Sequence, residues 1–259
     1  MQNARGIGLL EWVLLGLLQG VVEWLPVSST IVVMLAETAM GLSPSEAYNV
    51  ALALHMGSLL ALLASLGGDY TSMIKDLLGG RGRDFFLLLV VTFLTGIVGV
   101  PTYLLVYHLL KEAEWRTVAL SASALLGLTA LGTSLTKGGS KGLGIKEAIL
   151  LGVAQGLAAT PGLSRSGVTV AVLMSLSVSK DEAFRWSYLA AGPAILGATL
   201  LEVLTGQRFF NIPMLVSCLA AFLSGALSIK YILEAVKKVR REVLALIVSA
   251  GLIISALLL

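Results

Sequence analysis

The sequence predicts an all-α protein that crosses a membrane several times, and two observations support this prediction. Of the 259 residues, 57% are hydrophobic and only 13% are charged, a composition that excludes a soluble globule. Apolar runs recur along the whole length between short charged patches, so no stretch remains for a separate water-soluble domain. We therefore expect a single membrane domain over residues 1–259.

Breaks at glycine, proline and charged clusters divide the chain into ten helical segments. Four of these segments are 14–17 residues long, at or below the roughly 17–25 residues that a spanning helix needs. They form two pairs, each joined by a serine-rich turn with a proline, which predicts two re-entrant hairpins beside a protein-lined cavity. The other six segments are predicted to span, and the amphipathic stretch Tyr70–Leu78 to form a separate interfacial helix. The ten segments are residues 7–23, 28–41, 45–66, 85–108, 116–135, 145–159, 164–178, 181–204, 211–234 and 242–258.

Three separated motifs recur at one offset of 136 residues, which indicates an internal duplication. The halves cover approximately residues 7–135 and 145–258, and each holds one hairpin and three crossings. An odd number of crossings inverts the second half relative to the first. The predicted fold is therefore an inverted-topology repeat of two five-helix halves, with six spanning helices plus two re-entrant helical hairpins. The matched motifs are Glu11–Gly16 with Glu147–Gly152, Gln19-Gly20 with Gln155-Gly156, and Glu46–Tyr48 with Glu182–Phe184.

Charge in the loops orients this arrangement. Twelve Lys and Arg residues lie on the side of the loops near 67–84, 136–147, 179–185 and 235–242, against four on the other side. The excess predicts a multi-pass plasma-membrane protein with that side in the cytoplasm and both termini outside. The net charge of +3 comes from these juxtamembrane residues, so we expect membrane lipids and no nucleic acid as partners. A single cysteine, Cys218, excludes disulfides and Cys-rich zinc sites.

The first hairpin turn brings a carboxylate close to an expected anion site. Gln19 and Glu23 share a helix face, and Ser28, Ser29 and Thr30 open the next helix, where N–H groups and the helix dipole favour an anion. A carboxylate and a bound anion repel each other, and a divalent cation that bridges Glu23 and a phosphate would remove this repulsion. The alternative interpretation is a Ser/Thr helix cap beside a glutamate that reaches the interface.

The second hairpin turn contains an arginine between two long apolar runs. Arg165 lies in the sequence Ser164-Arg165-Ser166-Gly167, and its planar guanidinium suits bidentate contact with a phosphate. The alternative is that Arg165 pairs with Glu23 to join the two hairpins, and both roles are compatible. Together the turns predict a site for an anionic, phosphate-bearing lipid.

Two further sets of residues lie within the spanning segments. His55 falls about eleven residues into its helix, and it either reaches the predicted site or is a hydrogen-bonded packing residue. Five glycines are predicted to allow close helix packing, namely Gly57, Gly96, Gly99, Gly192 and Gly197.

At the two turns the chain resembles the undecaprenyl-diphosphate phosphatase family of the bacitracin-resistance type. The resemblance rests on Gln19-xxx-Glu23 running into Leu25–Thr30, and on Pro161–Thr169, which matches the family's second box at all nine positions. It implies an inverted-repeat membrane fold that removes the terminal phosphate of a polyprenyl diphosphate at an outward-facing site. Mg²⁺ or Ca²⁺ would assist, and the product would be the monophosphate carrier lipid.

The resemblance also implies roles for individual residues. The family usually has Gly-His after Ser-Ser-Thr, where this chain has Ile31-Val32, so the proposed catalytic histidine is replaced by Val32. The first residue of the Glu/Gln-xxx-Glu segment is often Glu in the family and is Gln19 in this chain. Hydrolysis needs a nucleophile, a charge clamp and a group that handles protons. We assign catalytic roles to Glu23, Ser29 and Arg165, a metal-binding role to Glu23, and substrate-binding roles to Gln19, Ser28, Thr30, His55, Ser164, Ser166 and Thr169.

Two other functions remain open at this point. A transporter or flippase for polyprenyl phosphate would need Arg165 but no general base, which suits Val32 and the predicted inverted repeat. A catalytically silent lipid-binding homologue is a third interpretation. The sequence is compatible with a homodimer and leaves the oligomeric state open.

Overall fold

The chain is all-α in the computed structural model, which describes residues 8–109, 139–160, 162–204 and 211–258. The predicted segment 116–135 lies outside these residues. Eight of the other nine predicted segments agree with observed helices to within four residues at each end. The nine helices of the described residues are α1 (Leu9–Val22), α2 (Ser29–Ala39), α3 (Pro44–Leu78), α4 (Arg83–Leu109), α5 (Ile145–Leu157), α6 (Arg165–Ser175), α7 (Lys180–Leu204), α8 (Ile212–Lys238) and α9 (Arg241–Leu257).

The exception is α3, which is much longer than predicted. It has 35 residues, or about 52 Å at 1.5 Å per residue, and so exceeds the roughly 30 Å of a bilayer core. The prediction of a separate interfacial helix at Tyr70–Leu78 was wrong, because these residues continue α3. Contacts with α7 hold the extension: the Tyr70 hydroxyl donates a hydrogen bond of 2.6 Å to the Leu189 carbonyl, and Arg185 forms an ion pair with Asp69.

Three helices of the described residues are long and apolar enough to cross a membrane. They cover Glu46–Leu78, Arg83–Leu105 and Ile212–Lys238. Many of their large apolar side chains are exposed, as expected for surfaces that face lipid. The chain therefore has the helices of an integral membrane protein.

The first helix of each hairpin packs against a long helix of the other half. Helix α1 packs against α8, and α5 packs against α4. A β carbon at Gly20 would clash with the backbone of Ala221 on α8, and one at Gly156 would clash with Val98 on α4. Three pairs of helices begin 136 residues apart, at Leu9 and Ile145, Ser29 and Arg165, and Pro44 and Lys180.

We expect Gly20→Ala to destabilise the fold, because the added methyl group forces α1 away from α8. Overpacking of this kind typically costs about 1–3 kcal/mol. Thermal unfolding in detergent should show a lower midpoint for this variant than for Gly68→Ala, since Gly68 on α3 has no heavy atom of the described residues within 4 Å of a β carbon. Equal midpoints for the two variants would contradict the close packing of α1 on α8.

The predicted packing role holds for some glycines and fails for others. A β carbon at Gly57 would clash with Cys218, one at Gly192 would clash with Tyr70, and one at Gly99 would lie 3.4 Å from Gly156. For Gly96 and Gly197 the prediction was wrong, because no heavy atom of the described residues lies within 4 Å of a β carbon there. These two glycines border a cavity rather than a helix contact.

The basic loops of the described residues meet at one end of the helix bundle. Arg83 donates a hydrogen bond to the Leu143 carbonyl, which joins the start of α4 to the loop before α5. The ammonium group of Lys180 donates to three carbonyls at the C-terminal end of α8, where the helix dipole favours a cation. Arg241 donates to the Val178 carbonyl. The loops that carry most of the positive charge therefore share one end, as the alternation of the segments predicts.

Candidate active site

Glu23 lies at the centre of a polar cluster in the turn after α1, and it is only 6% exposed. Its Oε1 accepts a hydrogen bond of 2.8 Å from Nη2 of Arg165. Its Oε2 accepts one of 2.6 Å from the hydroxyl of Ser29 and one of 3.2 Å from the amide of Gln19. Nε2 of His55 lies 3.2 Å from the same oxygen. Polar groups from α1, α2, α3 and α6 thus converge on one buried carboxylate.

Arg165 is the first residue of α6 and joins the two hairpin turns. Its Nη1 donates a hydrogen bond of 3.1 Å to the Ser187 carbonyl on α7. Its guanidinium carbon lies 5.6 Å from the centre of the Trp24 ring, a distance at which cation–π attraction operates. The bonds to Glu23 and Ser187 use two of the five N–H donors of a guanidinium, so within the described chain three are left for a ligand. The ion pair with Glu23 is therefore compatible with phosphate binding.

Ser29 begins α2, and its hydroxyl is held against a carboxylate. The N–H groups of the first turn of a helix have no partner within the helix and can bind an anion. One group in this turn is already used, since the N–H of Ser28 donates a hydrogen bond of 2.8 Å to the hydroxyl of Ser255 on α9. Helix α9 also presses on the turn, where Gly251 lies against Pro26. Helix α9 thus holds the turn before α2 in place, and the hydroxyl of Ser29 points at Glu23.

His55 reaches the cluster from α3 in a defined orientation. Its Nδ1 lies 2.9 Å from the carbonyl oxygen of Ala51 and 3.2 Å from that of Leu52. A carbonyl only accepts, so Nδ1 carries a hydrogen and Nε2 is the nitrogen directed at Glu23. Of the two interpretations of His55, the structure supports the one in which it reaches the site.

The cluster lines a cavity of about 460 Å³, within the size range of ligand sites. The structure brings seven of the predicted site residues to its wall: Glu23, Ser28, Ser29, Thr30, His55, Arg165 and Ser166. Gln19, Ser164 and Thr169 are buried behind this layer. Substrate contact by these three stays a prediction, and their observed partners give them supporting positions.

The buried residues support the two turns through hydrogen bonds. Gln19 donates to Glu23, and the hydroxyl of Ser164 accepts a hydrogen bond from the N–H of Gly167 and so caps α6. The hydroxyl of Thr169 donates to the carbonyl of Arg165. Each of these bonds fixes the backbone or the carboxylate from which a residue of the cavity wall projects.

Three neighbours of Arg165 were not predicted from the sequence. Trp24 lies under its guanidinium, Ser187 supplies a carbonyl, and the hydroxyl of Tyr188 donates a hydrogen bond of 2.7 Å to the Trp24 carbonyl. The rings of Trp24 and Tyr188 meet edge to face, with centroids 5.1 Å apart. The position of Trp24 beside Glu23 is the one sequence signal that could have identified this support.

Glu23 is the one carboxylate that the described residues of this cluster offer to a divalent cation, so the other ligands would come from the substrate and water. Mg²⁺ and Ca²⁺ take six or more oxygen ligands. Both oxygens of Glu23 already accept from Arg165, Ser29 or Gln19, and the residue one turn before it is an amide that donates. No group of three or more potential ligands occurs among the described residues. Assistance by Mg²⁺ or Ca²⁺ stays a prediction.

Comparison with known proteins places this site in a family. Residues 12–253 match the family described as "Bacitracin resistance protein BacA". The chain belongs to the BacA family. Three relatives, each named undecaprenyl-diphosphatase, support this membership. The protein from Sulfurisphaera tokodaii is 34% identical over 246 residues, which is 90% of this chain and 91% of the relative. Those from Methanothrix thermoacetophila and Methanopyrus kandleri are 35% and 37% identical, over 83% and 78% of this chain and 84% and 77% of their own lengths.

Membership of the BacA family agrees with the resemblance found at the two hairpin turns. Both turns, at Gln19–Thr30 and Pro161–Thr169, fall inside the matched residues. Val32, which stands in place of the family histidine, lies in the first turn of α2. Within the described chain it is His55 on α3 that brings an imidazole to Glu23.

Proposed function

We propose that this member of the BacA family is a membrane phosphatase that hydrolyses undecaprenyl diphosphate, or a similar polyprenyl diphosphate, to the monophosphate carrier lipid and phosphate. The observation that carries the proposal is the contact of Ser29 and Arg165 with one carboxylate at the wall of a cavity. A nucleophile, a base and a charge clamp are the groups that phosphoryl transfer requires. The names of the relatives support the choice of substrate.

The reaction begins at the hydroxyl of Ser29. Glu23 removes the hydroxyl proton, and the oxygen forms a bond to the terminal phosphorus. The bond from that phosphorus to the bridging oxygen breaks, and its electron pair leaves with the prenyl monophosphate. The free donors of Arg165 and the N–H groups at the start of α2 stabilise the charge on the equatorial oxygens. A water activated by Glu23 then hydrolyses the phosphoserine and regenerates Ser29.

His55 is proposed to handle the proton that Glu23 takes up. Its Nδ1–H bonds fix the ring, so Nε2 of the neutral imidazole can accept a proton from the Glu23 carboxyl. His55 also lines the cavity and can pass that proton to water. This assignment gives the chain a proton-transfer group despite Val32.

We expect His55→Gln to lower kcat by about 10²-fold with little change in KM, since general acid–base catalysis contributes roughly 10²–10⁴-fold. The pH–rate profile should lose the limb that reports the imidazole. Ser58→Ala is the matched control, because Ser58 lies one turn further along α3 and contacts Gln19 rather than Glu23. A kcat within about threefold of wild type with an unaltered profile would assign His55 a packing role.

We also propose that residues 1–259 form one membrane domain with an inverted-topology repeat of two five-helix halves, at approximately 7–135 and 145–258. The equal spacing of the helix starts and the reciprocal packing of α1 on α8 and α5 on α4 support this architecture. Helices α1, α2, α5 and α6 have 14, 11, 13 and 11 residues. Their lengths of about 16–21 Å are too short to span, which favours two re-entrant hairpins beside six crossings.

The same proposal includes an orientation in the plasma membrane. The basic end of the bundle faces the cytoplasm, because positive loops stay on that side, and both termini lie outside. The cavity lies toward the opposite end of α4 and α7 and so faces outward. Membrane lipids are partners in this arrangement, and a homodimer stays a prediction.

The proposal is tested by phosphate release from undecaprenyl diphosphate by the purified chain in detergent, with Mg²⁺, with Ca²⁺ and with chelator. We expect release that Arg165→Ala and Glu23→Gln abolish. If wild type releases no phosphate but binds polyprenyl monophosphate through Arg165, the protein is a transporter. If it neither releases phosphate nor binds the lipid in this way, both functions are excluded.

A further inference from the structure

The cavity continues past the polar cluster into a groove between α4 and α7, which the proposed phosphate chemistry does not use. One face of α4 lines it from Thr92 to Tyr103, and α7 lines it from Pro193 to Leu200. Twelve residues of helix correspond to about 18 Å, somewhat more than half the thickness of a bilayer core. The groove lies in the halves of α4 and α7 that are remote from the basic loops.

Two glycines leave this groove open. Gly96 on α4 and Gly197 on α7 line the cavity, and no heavy atom of the described residues lies within 4 Å of a β carbon built on either. Glycine costs about 1 kcal/mol relative to alanine within a helix. Within the described chain, Gly96 and Gly197 make no close helix contact that would explain this cost. What they provide instead is space in the groove that a larger side chain would fill. Gly99, one turn after Gly96, differs in that it packs against Gly156.

The groove also reaches the membrane-facing surface of the described chain. Val100 and Leu200 line the cavity, yet they are 44% and 54% exposed. Their neighbours Ile97 and Leu196 are exposed as well. An apolar passage therefore leads from the polar cluster to the exposed surface of α4 and α7.

We propose that this groove carries the prenyl chain of the substrate from the cavity to the bilayer, and that Gly96 and Gly197 determine which chain lengths the site accepts. The inference rests on the proposed function, which binds the diphosphate beside Arg165. A cavity of about 460 Å³ suits a drug-sized ligand, and an undecaprenyl chain is far larger. The prenyl chain must therefore extend beyond the cavity. An apolar path into lipid suits it, because exposing the prenyl chain to water would oppose binding.

The experiment compares Gly96→Leu, Gly197→Leu and the control Gly68→Leu. Gly68 is also an exposed helical glycine with open space around it, but it lies on α3 away from the cavity wall. For each folded variant, kcat/KM is measured on undecaprenyl diphosphate and on dimethylallyl diphosphate, whose single isoprene unit does not reach the groove. We expect the ratio of the two values to fall by about 10–200-fold in both groove variants and to stay unchanged in the control.

Equal losses on the two substrates, or no loss on either, would overturn the inference. Failure of the proposed function is a separate outcome, seen when wild type hydrolyses neither diphosphate. In that case the thermal shift produced by undecaprenyl monophosphate and by dimethylallyl monophosphate is compared. Loss of the long-chain shift alone in Gly197→Leu supports the groove, and an unchanged long-chain shift overturns it.

Discussion

Arg165→Ala is expected to lower kcat/KM for undecaprenyl diphosphate by about 10³-fold, since loss of one preorganised donor costs roughly 10²–10³ and here a full charge is lost as well. Arg165 lines the cavity, and the three N–H donors that the described residues do not engage are the groups available to the terminal phosphate. Arg165→Lys keeps the charge but loses the planar pair of donors, so we expect an intermediate loss of about 10²-fold.

The fold must be separated from the chemistry in this test, because Arg165→Ala also leaves Glu23 without its partner. Removal of one member of a buried ion pair typically costs about 3–5 kcal/mol. Arg185→Ala is the matched control: Arg185 also forms an ion pair between helices, with Asp69, but it lies outside the cavity wall. It should lower thermal stability and leave kcat/KM per folded molecule unchanged. If Arg165→Ala behaves in the same way, Arg165 only joins the two hairpins.

Much of the fold and the centre of the site could be predicted from the sequence because the bilayer restricts the alternatives. Short apolar segments interrupted by Pro26 and by Pro161 predict two paired turns, and Glu23 and Arg165 are costly in lipid without a partner. An ion pair between the two turns was therefore one of the two interpretations of Arg165. The observed bond of 2.8 Å between Arg165 and Glu23 follows that logic.

Other features depend on how the helices face one another, which one sequence does not specify. The position of His55 along α3 gives its depth in the membrane. It does not show that His55 lies on the face of α3 that contacts Glu23 in the first hairpin turn. Gly57 and Gly96 look alike in sequence, yet Gly57 packs against α8 and Gly96 borders the groove. The extension of α3 through Gly67 and Gly68 is accompanied by contacts from α7, in which Arg185 binds Asp69 and the Leu189 carbonyl accepts from Tyr70. In each case a long-range contact decides the outcome.

The proposed mechanism depends most on Ser29 as the nucleophile, so Ser29→Ala is expected to abolish hydrolysis. We expect turnover to fall by about 10⁴-fold or more, since the loss of a covalent nucleophile leaves only binding and electrostatic stabilisation. Thr38→Val is the matched control, because Thr38 also carries a hydroxyl on α2, but this hydroxyl donates to the Met34 carbonyl and lies outside the cavity wall. It should retain most of the activity.

A second measurement distinguishes attack by Ser29 from attack by water. With substrate labelled in the terminal phosphate, acid quenching of wild type should trap label on the protein, and Ser29→Ala should trap none. If water attacked directly, Ser29 would contribute only its hydrogen bond of 2.6 Å to Glu23, and the loss would be about tenfold. That smaller loss, together with no trapped label in wild type, would assign the serine to orientation of Glu23 and leave Glu23 as the base for water.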